Sequence, residues 1–421
     1  MPPSRSFRYH VYDDLVFDGQ PALSAQPVNV IRFDRVNTDS RQMYSLVRDM
    51  NELRRIGVAK GIVDAAVTQN GTSSGGRSIP AIKIGNGTGH RMLVVGCHHA
   101  REWIAAEMAY YIAEYLVNTY TNTPKTPEQK RIKHLLMNRQ IWFIPIANPD
   151  GHIFTMTGNR NWRPTRAVKT VSAGSTTLAD GSVRTWLAGL YRGVDMNRNY
   201  GTANWGTETP ATTNEPPSPA LAEDSVWCGL GPSSGALGEP ESRAIDALIS
   251  PAPGFRGVIT FHSYGEQWLW AGPRATGSGS AFVDWIGNGL VSVMGSVGHA
   301  YAYTGGPTPY LTSGDMADFA AEHAAGRPVF TPEVRPTRVL GDPNPPVGIG
   351  FSFLPESEIE PCFVENLAAT LGLINCAGHN SEVATQSLST ATGYPPQRCQ
   401  FVKHCWEVFR NWRPYVVGKD I

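Results

Sequence analysis

The chain of 421 residues has no excess charge of either sign: 36 lysines and arginines balance 36 aspartates and glutamates. A neutral balance lacks the electrostatic footprint of a protein that binds nucleic acid or an anionic membrane, so neither partner is expected. No stretch approaches the roughly 20 apolar residues needed to cross a bilayer. The opening MPPSRSFRYHVYDD has no apolar core of a secretory signal. As written this implies a cytoplasmic protein, or a secreted one whose leader has been removed. Cysteine is scarce. The six (Cys97, Cys228, Cys362, Cys376, Cys399, Cys405) are too few for a disulfide scaffold and include no C-x-x-C pair. A bridge between Cys399 and Cys405 and a set of buried free thiols are both compatible with them. No internal repeat is visible.

What is present is material for a large core. Hydrophobic residues make up 41% of the chain and charged ones only 17%. The 43 glycines and 32 prolines come with 11 tryptophans and 15 phenylalanines, which points to many loops around a compact centre, not to disorder. Residues 1–36 read as an N-terminal arm with one strand, PVNVIRF (27–33). Asn37–Ile56 reads as an amphipathic helix, with Met43, Leu46, Val47, Met50 and Leu53 at three- and four-residue spacing. Strands are expected at SIPAIKI (78–84) and RMLVVGC (91–97), and a helix over Glu102–Thr119. The alternation continues. QIWFIPIANPDG (140–151) reads as a strand ending in a Pro-Asp-Gly turn, Glu239–Leu248 as a helix and FRGVITFHSY (255–264) as a strand. Ala281–Gly298 follows as a helix, RPVFTPEV (327–334) as a strand and Glu356–Cys376 as a closing helix. Such alternation predicts an α/β sheet between helix layers. Segments 164–190 and 201–238 read as large surface loops, and 377–421 as a C-terminal extension.

Three chemistry-bearing spots fall at the ends of apolar strands. His99 and Glu102, in HHAREW (98–103), are three apart, so both can meet one ion as a strand turns into a helix. An H-x-x-E pair carries little alone, and His98 stands beside it as a competing imidazole. His262 ends the apolar ITF run, where a lone histidine is more often a satisfied core residue than a ligand. Glu333 in TPEVR is compatible with a surface pair to Arg335. What joins them is position: open α/β sheets bind ligands beyond the carboxyl ends of their strands. Two further clusters, Asn159–Arg163 (NRNWR) and Asp195–Asn199 (DMNRN), set arginines among Asn and Trp, a context suited to gripping carboxylates.

In order, HHAREW, ANPDG (147–151), NRNWR, DMNRN, FHSY (261–264) and EVR (333–335) resemble the metallocarboxypeptidase family of the pancreatic carboxypeptidases A and B, over residues 37–376. The resemblance implies a mixed parallel/antiparallel sheet sandwiched between helices in a single domain over 37–376. It also implies one zinc ion per chain, held by His99, Glu102 and His262. Two histidines and a glutamate are the known zinc ligands of carboxypeptidase A, and the resemblance alone carries them to these positions. Glu333 matches the general base and Arg163 the residue that polarises the scissile carbonyl. Asn197 and Arg198 match the pair that holds the substrate's terminal carboxylate, with Tyr310 closing over it. Arg101, Arg160, Ser263 and Tyr264 match further substrate contacts, and Gly305, Asp315 and Ala317 the specificity pocket.

The expected activity is hydrolysis of the C-terminal peptide bond by a monomer. Gly305 and Ala317 leave room for large apolar or aromatic residues, and Asp315 suits lysine or arginine. Alternatives on the same site are a cell-wall peptidase acting at diaminopimelate and a zinc amidohydrolase of N-acyl amino acids. Only 98 residues precede His99, too few for the inhibitory prodomain of the digestive enzymes, so activity without trimming is expected.

Overall fold

The structure is a computed structural model. It describes residues 46–87, 90–159, 162–177, 183–186, 188–202, 237–251, 254–270, 287–288, 290–291, 294, 301–304, 314–323, 327–337 and 358–376. The expected N-terminal strand, the first nine residues of the expected Asn37–Ile56 helix, most of 201–238 and the C-terminal extension lie outside these. So do Cys228, Cys399, Cys405 and the side chain of Cys376. Cys97 and Cys362 are buried free thiols.

The chain opens with α1 (Leu46–Ala59) and a short hairpin, β1 (Gln69–Thr72) and β2 (Ser78–Pro80). It continues through β3 (Ile82–Ile84), β4 (His90–Val95), α2 (Trp103–Thr119), α3 (Pro127–Asn138), β5 (Arg139–Ile144) and α4 (Pro149–Thr157). Four short strands follow: β6 (Val168–Val171), β7 (Gly174–Thr177), β8 (Val183–Trp186) and β9 (Gly189–Arg192). After a single 3-10 turn over Met196–Arg198 come α5 (Pro240–Ile249), β10 (Gly257–Thr260), β11 (His262–Gly265) and β12 (Gln267–Trp270). The last described elements are β13 (Ala302–Thr304), α6 (Met316–His323), β14 (Val329–Thr337) and α7 (Ile359–Cys376).

Eight of these strands form one mixed sheet, ordered β13-β12-β14-β10-β4-β5-β3, with β11 also pairing β14. The centre β14-β10-β4-β5 is parallel. At the flanks β12 runs antiparallel to β14, and β3 antiparallel to β5. Burial explains the central sequences: every residue of β10 is buried, as are the last four of β4, which is why both read as unbroken apolar runs. The core is continuous across the sheet and onto the helices. Helix α2 has buried residues on every side because it packs against α1, α3, α7 and the sheet together.

Several expectations are corrected. Helix α1 continues past Ile56 to Ala59. The Pro-Asp-Gly segment is the first turn of α4, not a reverse turn: Asn148 accepts from Gly151 N at 3.0 Å, and Pro149 sits where a helix lacks a partner for its N–H. Helix α3 is an addition to the elements expected. It starts on a capping box between Thr126 and Gln129, with Pro127 at its first position. Helix α6 and strands β12 and β13 are likewise additions. Segment 164–190 is not plain loop: β6 pairs β9 and β7 pairs β8 as two antiparallel ribbons. Of the expected 281–298 helix only Gly287, Asn288, Leu290, Val291 and Met294 are described, and they are helical.

Candidate metal centre

Parallel strands β4 and β10 end at one edge of the sheet, where β14 runs on beside β11, and the chain delivers a polar group from each. Leaving β4, Gly96 lets strand and helix come close; a Cβ there would lie 2.4 Å from the Ala105 carbonyl oxygen. Cys97 follows with φ 52°, a left-handed conformation uncommon outside glycine and often stored at functional sites. The chain then reverses through His98 and His99 into α2. Glu102 caps that helix, yet its side chain makes no capping bond. It turns instead to the two imidazoles.

His99 Nδ1 lies 2.7 Å from Glu102 Oε1, His262 Nδ1 lies 3.0 Å from Glu102 Oε2, and the two Nδ1 atoms are 3.1 Å apart. All three residues are buried. Among the described residues they form a His/Glu cluster able to hold a metal ion. Two imidazole nitrogens and a carboxylate around one point are a donor set that zinc prefers. The spacings are slightly tighter than the ~3.3 Å edge of a tetrahedron with Zn–N near 2.0–2.1 Å. On the outer side, His99 Nε2 faces the Asp195 carboxylate, 3.3 Å from Oδ1, without a formed hydrogen bond, and His262 Nε2 is 3.2 Å from Thr260 Oγ1. Ligating histidines are commonly oriented by a second partner on the nitrogen that does not face the metal.

Asp195 ties the surroundings together. Its Oδ1 accepts from Asn197 N at 2.9 Å and its Oδ2 from Arg163 Nε at 3.0 Å. Burial pushes this carboxyl up, but Arg163 and His99 outweigh that and hold it well below the usual range. Burial likewise opposes ionisation of Glu102, and His99 and His262 overcome it, keeping the carboxyl below its ordinary value. His262 is pushed down by burial, partly offset by Glu102. His98 is pushed well down by burial and then by His262 and His99, so it stays neutral.

The other expected residues are distributed around this centre. Arg163 Nη1 is 3.8 Å from Glu102 Oε1, and the Arg163 carbonyl is fixed by Ala100 N at 3.0 Å. Asn197 and Arg198 are buried in the 3-10 turn, with Asn197 Oδ1 accepting from Met316 N and Arg198 Nη1 donating to Asn197 O. Ser263 N donates to Glu102 Oε2 at 3.2 Å, and Ser263 Oγ is buried. Arg101, Tyr264 and Glu333 are half-buried. Glu333 on β14 is the register partner of His262 on β11; between Ser263 and Gly265 this register shifts, and the Ser263–Tyr264 peptide is cis. Asp315 precedes α6 and its Oδ1 accepts from Asp318 N, so at least one oxygen is engaged in capping; Ala317 is buried in the helix. Arg160, Gly305 and Tyr310 lie outside the described residues. Sequence alone does not single out Asp195, Thr260 or Tyr200. Asp195 is visible there only as the first letter of DMNRN, and nothing in the sequence joins it to His99.

Comparison with known proteins gives a consistent answer. Residues 64–369 match the zinc carboxypeptidase family. Carboxypeptidase B of Bos taurus is 28% identical over 307 residues, covering 71% of this chain and 62% of that protein. Carboxypeptidase B of Astacus astacus is 28% identical over 305 residues, covering 70% and 84%. The chain thus spans a little under two thirds of the bovine relative's length. In fold, it resembles carboxypeptidase A of Helicoverpa armigera with a TM-score of 0.58 at 22% identity, over 82% of this chain and 76% of that one.

Proposed function

The chain belongs to the zinc carboxypeptidase family, and from that premise we propose that it is a zinc metallocarboxypeptidase that hydrolyses the C-terminal peptide bond of peptides. The observation that carries this reading is the convergence of His99 Nδ1, the Glu102 carboxylate and His262 Nδ1 within 2.7–3.1 Å at the carboxyl edge of the sheet. In this reading His99, Glu102 and His262 hold one zinc ion. When bound, zinc supplies a water of lowered pKa and a Lewis acid for the scissile carbonyl.

The chain's own residues do the rest. Glu333 accepts the proton of the attacking water and returns it to the leaving amine. Arg163, anchored on Asp195 through Nε, donates to the carbonyl oxygen as charge develops there. Asn197 and Arg198 hold the terminal carboxylate, with Tyr310, Arg101, Arg160, Ser263 and Tyr264 as further contacts. Arg198 matches the substrate's terminal carboxylate in charge and fork geometry, and a substrate without a free terminus forfeits that ion pair, which favours exopeptidase cleavage. The preference for the released residue is broad: Gly305 and Ala317 admit large apolar or aromatic residues, and the Asp315 charge favours lysine and arginine.

The test is a panel of N-blocked dipeptides, N-acyl amino acids and diaminopimelate peptides, with elemental analysis of the purified protein. Expected are one zinc per chain, release of the C-terminal residue from blocked dipeptides, loss of activity with a chelator and recovery on adding zinc. Activity persisting in metal-free protein would overturn the reading. So would turnover confined to N-acyl amino acids or diaminopimelate peptides.

A further inference from the structure

His99 and His262 are supported differently. His99 has a carboxylate, Asp195, behind its outer nitrogen. Among the described residues His262 has none there; its Nε2 meets the Thr260 hydroxyl at 3.2 Å. A hydroxyl is ambivalent, since it can donate to that nitrogen or accept from it. The choice matters, because only an imidazole with its proton on Nε2 offers the Nδ1 lone pair to the ligand cluster.

The same hydroxyl is 3.3 Å from His98 Nδ1, and His98 Nε2 is 3.0 Å from Tyr200 Oη. All four side chains are buried, so these links are shielded from bulk solvent. The His98 ring lies stacked on that of His262, with centroids 5.4 Å apart and planes at 20°, and Asn148 Nδ2 holds the His98 carbonyl.

We propose that His98, Thr260 and Tyr200 are positioning residues that fix the tautomer of His262, so that its Nδ1 is presented to the metal. Each of the three links then has one direction. His262 Nε2–H donates to Thr260 Oγ1, the Thr260 hydroxyl donates to His98 Nδ1, and His98 Nε2–H donates to Tyr200 Oη. His98 thereby decides which way the Thr260 hydroxyl points, and a row of neutral groups orients His262, whereas the group facing the outer side of His99 is a carboxylate. This inference rests on the assignment of His262 as a zinc ligand.

Thr260→Val removes the hydroxyl at nearly constant shape, and Thr260→Ser restores it; His98→Leu removes the acceptor behind it together with the link to Tyr200 and the imidazole stacked on His262. Zinc affinity, measured by competition with a fluorescent chelator, is expected to fall about 10- to 100-fold in Thr260→Val and His98→Leu. It should stay within about threefold of wild type in Thr260→Ser. Thermal melts of the metal-free proteins separate this from loss of fold, and the visible spectrum of the cobalt-loaded proteins reports ligand geometry apart from activity. Unchanged affinity in Thr260→Val would overturn the proposal. Tighter binding would overturn it as well, since it would mean that the hydroxyl donates to His262 and holds the proton on Nδ1. If His262→Ala bound zinc as tightly as wild type, the ligand assignment itself would fail, a result distinct from either.

Discussion

Glu333 stands directly across from His262 in the parallel pairing of β14 with β11. Neighbours across a parallel pair send their side chains to the same face, so the proposed ligand and the proposed base rise from one sheet face side by side. The residue before Glu333, Pro332, falls between the β10 and β11 ladders, a break that a residue without an N–H tolerates. Glu333→Gln should therefore fold and retain zinc while kcat falls about 10²–10⁴-fold, the usual cost of deleting a general base. A variant retaining more than about a tenth of wild-type turnover would refute the role.

Glu241 offers a pH test away from the centre. Its Oε1 accepts from Ser74 N and Oγ, at 2.9 and 3.1 Å, tying α5 to the β1–β2 hairpin. Burial, with Glu239 and Asp150 nearby, pushes its carboxyl up from 4.5 to about 7. The folded state holds this proton more tightly than the unfolded one. The resulting stability is fully present below pH 4.5 and is lost as pH rises through about 7, an effect of roughly 3 kcal/mol at most. Glu241→Gln keeps an acceptor for Ser74 without the charge. It should raise the melting temperature at pH 8 and flatten its decline between pH 5 and 8; an unchanged pH profile would contradict the shift.

Arg139 closes the far end of the molecule. Its Nε donates to Ile374 O at 3.1 Å and its Nη2 to Asn375 O at 2.8 Å, satisfying carbonyls at the end of α7. Arg139→Met should lower unfolding free energy by roughly 2–4 kcal/mol, since bonds from a charged donor contribute about 1.5–3 kcal/mol each and are not additive. Urea denaturation measures it. At 25 °C kcat should not change.

Asp315 carries two readings that one substitution separates. Asn caps helices about as well as Asp, so Asp315→Asn should keep stability within roughly 0.5 kcal/mol. If the charge also faces the substrate, kcat/KM for a C-terminal arginine should fall about tenfold, or about 1.4 kcal/mol, with phenylalanine substrates unaffected. Equal effects on both would leave Asp315 a cap alone.

The sequence is most readable where burial is most complete. The apolar runs of β4 and β10, and the ring of Ala, Tyr and Leu around α2, have the patterns that burial on all sides requires. Helix α3 is harder to see because only Ile132, Leu135 and Leu136 are buried, although Thr126, Pro127 and Gln129 mark its start. In α4 the Pro-Asp-Gly letters fit a turn and a helix start equally, and Asn148 decides between them only through a side-chain bond. The ribbons of β6–β9 carry Val168, Val183 and Leu190 exposed, so their alternation signals no core. His99, Glu102 and His262 are visible as strand-end residues. The partnership of Asp195 with His99 and Arg163 is not, because it depends on three segments that only the folded sheet edge brings together.

The β6–β9 excursion closes where it opens. Thr165 N donates to Val194 O at 2.9 Å, Val194 N to Thr165 Oγ1 at 3.1 Å, and Gly193 N to Ala167 O at 2.6 Å. Gly193 makes the clasp with φ 91°, where a Cβ would sit 2.6 Å from Thr165 O. Arg163 and Asp195 are thus registered to each other by their own neighbours and not by the length of chain between them. Doubling that length adds only about 0.6 kcal/mol of closure entropy. The ribbons are consequently a port for grafting: an epitope tag or a small binding module spliced there rides beside the His99–Glu102–His262 cluster without resetting it.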